Sequence, residues 1–550
     1  MNKNRLIFVI LAAFLLSFGF LGLAGRSLAD SALNRDLSPT PTPSPAPKPS
    51  ATPSPVSTPV AIQSIDELQT KIRQRMFAPE VRRGRVGIKI VSLNSGKVVF
   101  ENDSDKYFMP ASNMKNFTVS TALERLGPDF KFVTSVYAGS LPDASGTVKG
   151  DLRIFGRGDI SISTAFFGTS PTDPETYYKG IDRLVERISA AGVKRIEGSI
   201  VGDESYFKGF AIPGTWEWDD LQSYYGAEIS ALPLNDNAID ISVAPGNVGG
   251  PCTVTISPAN KLVQVTNLCT TAGPDTPRNP AIVKKLDRNI VEVSGTMPTG
   301  KAPIIGSIAF THPSNLFVAI LKQRLESKGI AVTGDARVLP ANVAAEQKLE
   351  IAKLESPPLS IIAAKTLKPS QNMYTETILW TLGENFRPNY DPTVLKGARN
   401  PVTNSSDLGL MVVKAFLAEV VGIPDDGIMQ YDGSGLSRHD LITPSAVVTL
   451  YTYMAKKSRY AQVWRDSLTI GGVDGTLANR FKGTAAAGNI RGKTGTIDQV
   501  SALSGYLTTA GGEQLVLSMV VNGVAETRTR TMLMDDIVVS LANFNGKIDQ

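Results

Sequence analysis

From Ser64 onwards the chain switches between two hydrophobic periods. Ile65, Leu68 and Ile72 recur on one helical face behind Ser64 and Glu67, a reciprocal cap for a helix start. "RVGIKIVSLNSGKVVFE" then alternates on either side of the turn Asn94-Ser95-Gly96, which predicts two strands. An extended stretch and Pro110 lead into "PASNMKNFTVSTALERLG", whose pattern predicts an amphipathic helix through Leu126. The far end mirrors this arrangement. "GNIRGKTGTI", "QVSALSGYLTT" and "EQLVLSMVVNG" read as three strands, and Thr531 to Phe544 as a closing helix. Two strands at the start and three at the finish, each flanked by a helix, predict one antiparallel sheet with helices against it.

Residues 140–345 carry a different pattern. "DLRIFGRGDISIS", "RIEGSIVGDESYF", "AIDISVA", "CTVTIS", "LVQVTN" and "NIVEVSG" are short alternating runs with Gly, Pro and Asn between them. This is a mostly β insertion, read as two subdomains, with helices at Tyr178–Ala191 and Ser314–Lys328. Helices dominate from Ser356 to Lys457. The fold class is α+β: residues 62–139 and 346–550 form one discontinuous domain, interrupted by the insertion.

Ahead of the folded region, Lys3 and Arg5 precede an uncharged apolar run from Leu6 to Gly25, and Ser27-Leu28-Ala29 offers small residues for cleavage. Residues 1–29 read as an export signal, and the run is also long enough to serve as an uncleaved anchor in the cytoplasmic membrane. Residues 30–61 form a linker. Ser38 to Val60 holds nine prolines and favours extended polyproline II over any packed core. At about 3.1 Å per residue it reaches roughly 70 Å, a span that suits a tether held at its other end. The expected location is the periplasm or cell envelope.

Composition narrows the chemistry. The 550 residues are 42% hydrophobic and carry a net charge of only +5, with no basic run in the body, so no nucleic-acid partner is expected. Two histidines, His312 and His439, and two cysteines, Cys252 and Cys269, are too few and too scattered for a zinc site. No metal and no cofactor is expected. An oxidising compartment would let Cys252 and Cys269 pair across the short loop between them, the alternative being two buried thiols. Neither histidine sits in a setting that suggests a Ser-His-Asp triad, and no G-x-S-x-G elbow occurs, so a serine hydrolase here would need a different base.

The candidate chemistry comes from three short motifs in order. Ser112 and Lys115 form S-x-x-K at the start of a helix, which sets the lysine one turn on and on the serine's face. Ser370-Gln371-Asn372 opens a second helix after Pro369, and Lys493-Thr494-Gly495 lies on a strand. Singly the motifs are weak. Ser205 and Lys208 also match the first, but in a strand-to-turn segment, and Ser92-Leu93-Asn94 matches the second in a hairpin turn. Together, in order and each in a suitable element, they are the active-site set of penicillin-binding proteins and serine β-lactamases.

The residue types suit acyl transfer. A serine hydroxyl needs a base within hydrogen-bond reach, and a neutral lysine can supply one. Burial and nearby positive charge both lower a lysine pKa, and Lys493 is the expected cation beside Lys115. Ser370 is placed to pass a proton towards a leaving amine, with Asn372 orienting Lys115. The amides of Ser112 and Thr496 are the expected oxyanion donors. Lys493, Thr494, Gly495 and Thr496 form the expected seat for a substrate carboxylate.

Over residues 62 to 545 the chain resembles the three-domain D-alanyl-D-alanine carboxypeptidases/endopeptidases, the class C low-molecular-mass penicillin-binding proteins. "GSIVGDESYF", "YYGAEISALPLNDN", "ESKGIAVTGDARV", "YDGSGLSR" and "SALSGYL" all look like family segments. So does the large insertion between Ser112 and Ser370. The resemblance implies a penicillin-binding/β-lactamase-like transpeptidase domain with Ser112 as nucleophile and Lys115 as base. It implies removal of the terminal D-Ala from peptidoglycan stem peptides and acylation by β-lactams. Cutting peptide cross-links with the same site is the alternative activity, and a wall-binding scaffold with a relic site the non-enzymatic one. Gln371, Glu228 and the Pro-rich tether depart from the family pattern.

Overall fold

The computed structural model describes residues 62–168, 173–340, 349–387 and 404–548; the apolar run and the Pro-rich linker lie outside them. Its centre is a six-stranded antiparallel sheet. Across it run Val98–Asn102, Arg85–Ser92, Gln514–Asn522, Val500–Thr508, Arg491–Ile497 and the short Thr469–Ile470. The hairpin near residue 85 therefore pairs with the chain's end, with Arg85 opposite Asn522 and Ser92 opposite Leu515.

Both faces of this sheet are buried, which explains its strongly apolar strands. In Gln514–Asn522, Leu515, Leu517, Met519 and Val521 face one core with Leu68 and Ile72 of helix Ile65–Met76 and Leu533, Ile537 and Leu541 of helix Thr527–Ala542. The intervening Val516 and Val520 join a second core with Phe117, Val447 and Tyr451. The expected cap is present, with Ser64 Oγ accepting from the Glu67 amide at 3.2 Å. The closing helix begins four residues earlier than the pattern suggests. Its first turn is held by Arg530, a buried residue whose Nε donates to Ser501 Oγ at 2.9 Å and whose guanidinium also bonds the Ala525 carbonyl at 2.8 Å.

Helix Lys115–Arg125 differs from its expected amphipathic form. Every residue from Lys115 to Leu123 is buried, because the helix runs between the sheet and an outer layer of helices. That layer includes Leu359–Leu367, Asn372–Phe386, Ser405–Phe416 and Pro444–Lys456. Among the described residues, no helix is long and apolar enough to cross a membrane.

The insertion has its own core, and that core reaches beyond residues 140–345 to take in Val133–Ala138 and Leu349–Glu355, which the sequence pattern assigned to the main domain. A five-stranded mixed sheet runs Ala336–Val338, Ile200–Asp203, Leu152–Phe155, Val133–Ala138 and Leu349–Glu355. Ile200–Asp203 lies parallel to both Ala336–Val338 and Leu152–Phe155, and it is joined to the latter by a crossover through helix Lys179–Ala190, as parallel strands require. Two three-stranded sheets follow, and beside them Cys252 and Cys269 form a disulfide. From this region the segment 205–237 reaches back to the main domain: Trp216 Nε1 donates to Asp432 at 2.8 Å and Gln371 Nε2 to Asp236 at 3.0 Å.

The disulfide closes a loop with a sequence separation of 17 residues. A bridge of that span contributes about 3 kcal/mol by restricting the unfolded chain. The double variant Cys252→Ser/Cys269→Ser is therefore expected to lower the stability of this region by about that amount in urea denaturation.

Candidate active site

Ser112 lies in the tight 3-10 turn Ala111–Met114, and Lys115 is the first residue of helix Lys115–Arg125. The turn brings Lys115 Nζ to 2.9 Å from Ser112 Oγ. Nζ also lies 2.5 Å from Asn372 Oδ1 and 2.7 Å from the carbonyl oxygen of Ser434. Asn372 opens helix Asn372–Phe386, and its Nδ2 donates to the Tyr225 carbonyl at 2.9 Å.

Ser370 stands two residues before that helix with a φ of 65°, a left-handed conformation that is costly for a residue with a side chain. The end of helix Leu359–Leu367 holds it there: the Ser370 amide bonds the Leu367 carbonyl at 3.2 Å, and the Gln371 amide bonds that of Thr366 at 2.9 Å. Held this way, Ser370 Oγ accepts from Lys493 Nζ at 2.8 Å. Lys493 Nζ also donates to the Thr494 carbonyl at 2.7 Å.

Strand Arg491–Ile497 can approach the Ser112 turn because residue 495 is glycine. A β-carbon on Gly495 would stand 2.7 Å from the Pro110 carbonyl oxygen and 3.0 Å from the Ser112 nitrogen. The next residue, Thr496, is exposed. Two residues before it, Thr494 Oγ1 donates to Thr476 Oγ1 at 2.7 Å. A buried network ties the strand to the nucleophile turn, with Asn113 Nδ2 donating to the Lys493 carbonyl at 3.2 Å and Ser504 Oγ to Asn113 Oδ1 at 2.6 Å.

Both lysines are fully buried, and this sets their proton affinity. Loss of water pulls Lys115 from the usual lysine value of 10.5 down to about 7, against the opposing pull of Asp432, Glu376 and Asp440. Burial, and then the charge of Lys115, hold Lys493 well below the lysine range. The expected influence of Lys493 on Lys115 is not among the causes of that shift; the charge effect runs from Lys115 onto Lys493. Lys493 is itself stripped of water, and its partners are a hydroxyl and a carbonyl, which give an ammonium little compensation.

The motif residues Ser112, Lys115, Ser370, Asn372 and Lys493 lie together, Lys115 touching Ser112 and Asn372, and Lys493 touching Ser370. The decoys do not join them. Lys208 bonds the carbonyl of Ser205 rather than its hydroxyl, and Ser92 bonds Glu513 in the first hairpin. The His312 ring is 3.8 Å from Glu228, and His439 stacks edge-on against Tyr431. The sequence reading missed the Ser434 carbonyl and the buried acids Asp432, Glu376 and Asp440. Two signals were available: an acid amid the small residues of "YDGSGLSR", and another in the otherwise uncharged start of the helix "NMYTETILW".

An antiparallel sheet backed by helices, with a serine and lysine at the entry to the buried helix, a serine and asparagine at the entry to the next, and a lysine on the facing strand, defines a penicillin-binding/β-lactamase-like serine acyl-transfer fold. Residues 68–544 match the model of the D-Ala-D-Ala carboxypeptidase 3 (S13) family, and the chain belongs to that family. It is 31% identical over 493 residues to a D-alanyl-D-alanine carboxypeptidase of Actinomadura sp., covering 88% of this chain and 86% of that protein. Among solved structures, penicillin binding protein 4 from Haemophilus influenzae shares the fold with a TM-score of 0.69 at 24% identity, covering 88% of this chain and 99% of that one. A second structure of that protein, complexed with a β-lactam, aligns with a TM-score of 0.62 at 22% identity over 86% of this chain and 97% of that one.

Two outcomes follow from this geometry. With Lys115 as base and its pKa at about 7, acylation by a fluorescent penicillin should fall about tenfold per pH unit below that value, measured as a second-order rate constant. Gly495→Ala forces the strand away from Ser112 and should slow the same acylation by about 10²-fold, while the far-ultraviolet circular dichroism stays that of the parent.

Proposed function

We propose that Ser112 is the nucleophile and Lys115 its general base in the removal of the terminal D-Ala from peptidoglycan stem peptides. The observation that carries this reading is the buried Lys115 amine, 2.9 Å from Ser112 Oγ, with its pKa lowered to about 7. Neutral Lys115 takes the Ser112 proton as Oγ attacks the carbonyl carbon of the D-Ala-D-Ala peptide bond. The amides of Ser112 and Thr496 receive the oxyanion. Ser370, held at 2.8 Å by Lys493, passes the proton taken up by Lys115 on to the departing D-Ala amine, which leaves Lys115 neutral again. Water then attacks the acyl-serine ester, again with Lys115 as base.

Lys493, Thr494 and Thr496 bind the substrate's terminal carboxylate, with Gly495 giving the strand its close approach. A carboxylate arriving beside Lys493 favours its ammonium form, which in turn holds Lys115 neutral. A β-lactam acylates Ser112 by the same attack on its ring amide. The protein works outside the cytoplasm. The apolar run at residues 6–25 and the disulfide of Cys252 and Cys269 both support export. The Pro-rich spacer supports a tether to the cytoplasmic membrane.

The test is labelling by a fluorescent penicillin together with D-Ala release from a stem pentapeptide. Ser112→Ala should abolish both, and Ser205→Ala should abolish neither. Labelling that persists in Ser112→Ala would overturn the assignment.

A further inference from the structure

The loop Gln430–Asp440 folds around its own acid. Asp432 is almost fully buried, and five donors converge on its carboxylate. Oδ1 accepts from the amides of Ser434 at 2.9 Å and Gly435 at 2.5 Å. Oδ2 accepts from the Ser437 amide at 2.8 Å, Ser434 Oγ at 3.2 Å and Trp216 Nε1 at 2.8 Å. Glu376, from helix Asn372–Phe386, fastens the same loop by accepting from the Gly433 amide at 2.9 and 3.0 Å. The loop also presses on the nucleophile turn. A β-carbon on Gly435, whose φ is +79°, would stand 1.9 Å from the Ala111 carbonyl oxygen.

What the loop presents to the site is the Ser434 carbonyl, 2.7 Å from Lys115 Nζ. A neutral amine has two N–H groups and one lone pair. With Asn372 Oδ1 and the Ser434 oxygen each taking one N–H, the lone pair is left facing Ser112 Oγ, the third group around Nζ. We propose that Asp432 is a positioning residue for the general base: it fixes the Ser434 carbonyl on Lys115 and so aims the amine's lone pair at the nucleophile. Asp440 completes the device. Its Oδ1 accepts from the Tyr431 amide at 2.6 Å, while its buried Oδ2 has no donor of its own. As a carboxylic acid, Oδ2–H donates to the neighbouring carboxylate of Asp432, and burial together with Asp432 favours that protonated form. The acids facing Lys115 are thus Asp432 and Asp440 from the loop and Glu376 from the helix, with the buried Lys493 amine on the facing strand.

The inference rests on Lys115 being the base. The experiment measures fluorescent-penicillin acylation across pH for the intact chain and for Asp432→Asn, Asp440→Leu and Asp440→Asn. Reversible affinity before acylation is taken from the saturation of the rate with penicillin concentration. Asp432→Asn should cut the limiting acylation rate by about 10²-fold with little change in that affinity. It should also move the acid limb to lower pH, because a negative charge that favours the Lys115 ammonium is gone. Asp440→Leu should lose rate in the same way. Asp440→Asn, whose amide can still accept from Tyr431 and donate to Asp432, should restore most of it. A parent-like rate and acid limb in Asp432→Asn would overturn the positioning role. If that variant does not fold, the Asp440 pair decides: Asp440→Leu with the parent's rate, or Asp440→Asn no better than Asp440→Leu, would overturn it. Failure of the parent chain to label would instead sink the assignment of the site itself.

Discussion

Taking two ammonium groups out of water is the constraint on which the rest of this structure depends. Desolvating an ion costs several kcal/mol, and here the cost falls on Lys115 and Lys493 in adjoining positions. An ordinary protein interior would pair each lysine with a carboxylate at contact distance. This one gives Lys115 a hydroxyl, an amide oxygen and a main-chain carbonyl, and keeps its acids one layer back. The amine is left undercompensated, and that makes it basic at neutral pH rather than permanently charged. Sheet, buried helix and insertion all serve to keep water from this one spot.

The insertion takes part in that exclusion. Trp216 covers Asp432, the Tyr225 carbonyl holds Asn372, and Asp236 accepts from Gln371 beside the strained Ser370. The departure at Gln371 is accommodated by this contact, since its longer amide reaches across to the insertion. Glu228 likewise finds a use, accepting from the His312 amide at the start of helix Pro313–Ser327.

Much of this was legible in the amino-acid sequence, for reasons that can be named. Ser112 and Lys115 could be recognised because helical turns set residues three apart on one face, and Lys493 because an alternating strand has a readable register. The antiparallel sheet followed from its strongly periodic strands. What stayed hidden depends on contact rather than period. Asp432 sits in a loop of glycine and serine, where an acid ordinarily belongs to water. Only the folded chain shows that five donors enclose it. The left-handed Ser370 and the steric demand for glycine at 495 have no periodic signature. The burial of Lys115–Leu123 on every side was masked by polar residues that turn out to bond inward, as Thr118 does to the Gly433 carbonyl at 2.9 Å.

The strand order has a consequence for when this protein can act. Arg85–Ser92, among the first strands made, has its inner edge filled only by Gln514–Asn522, close to the chain's end. Lys493 lies on a strand of that same late group. Contacts so distant in sequence form slowly and only once nearly the whole chain is present. Until then Lys115 faces water, keeps its proton and is no base. An unfinished chain thus carries the serine and the lysine without the enclosure that makes them a reactive pair, because the environment that lowers the lysine's proton affinity is the last part to be assembled.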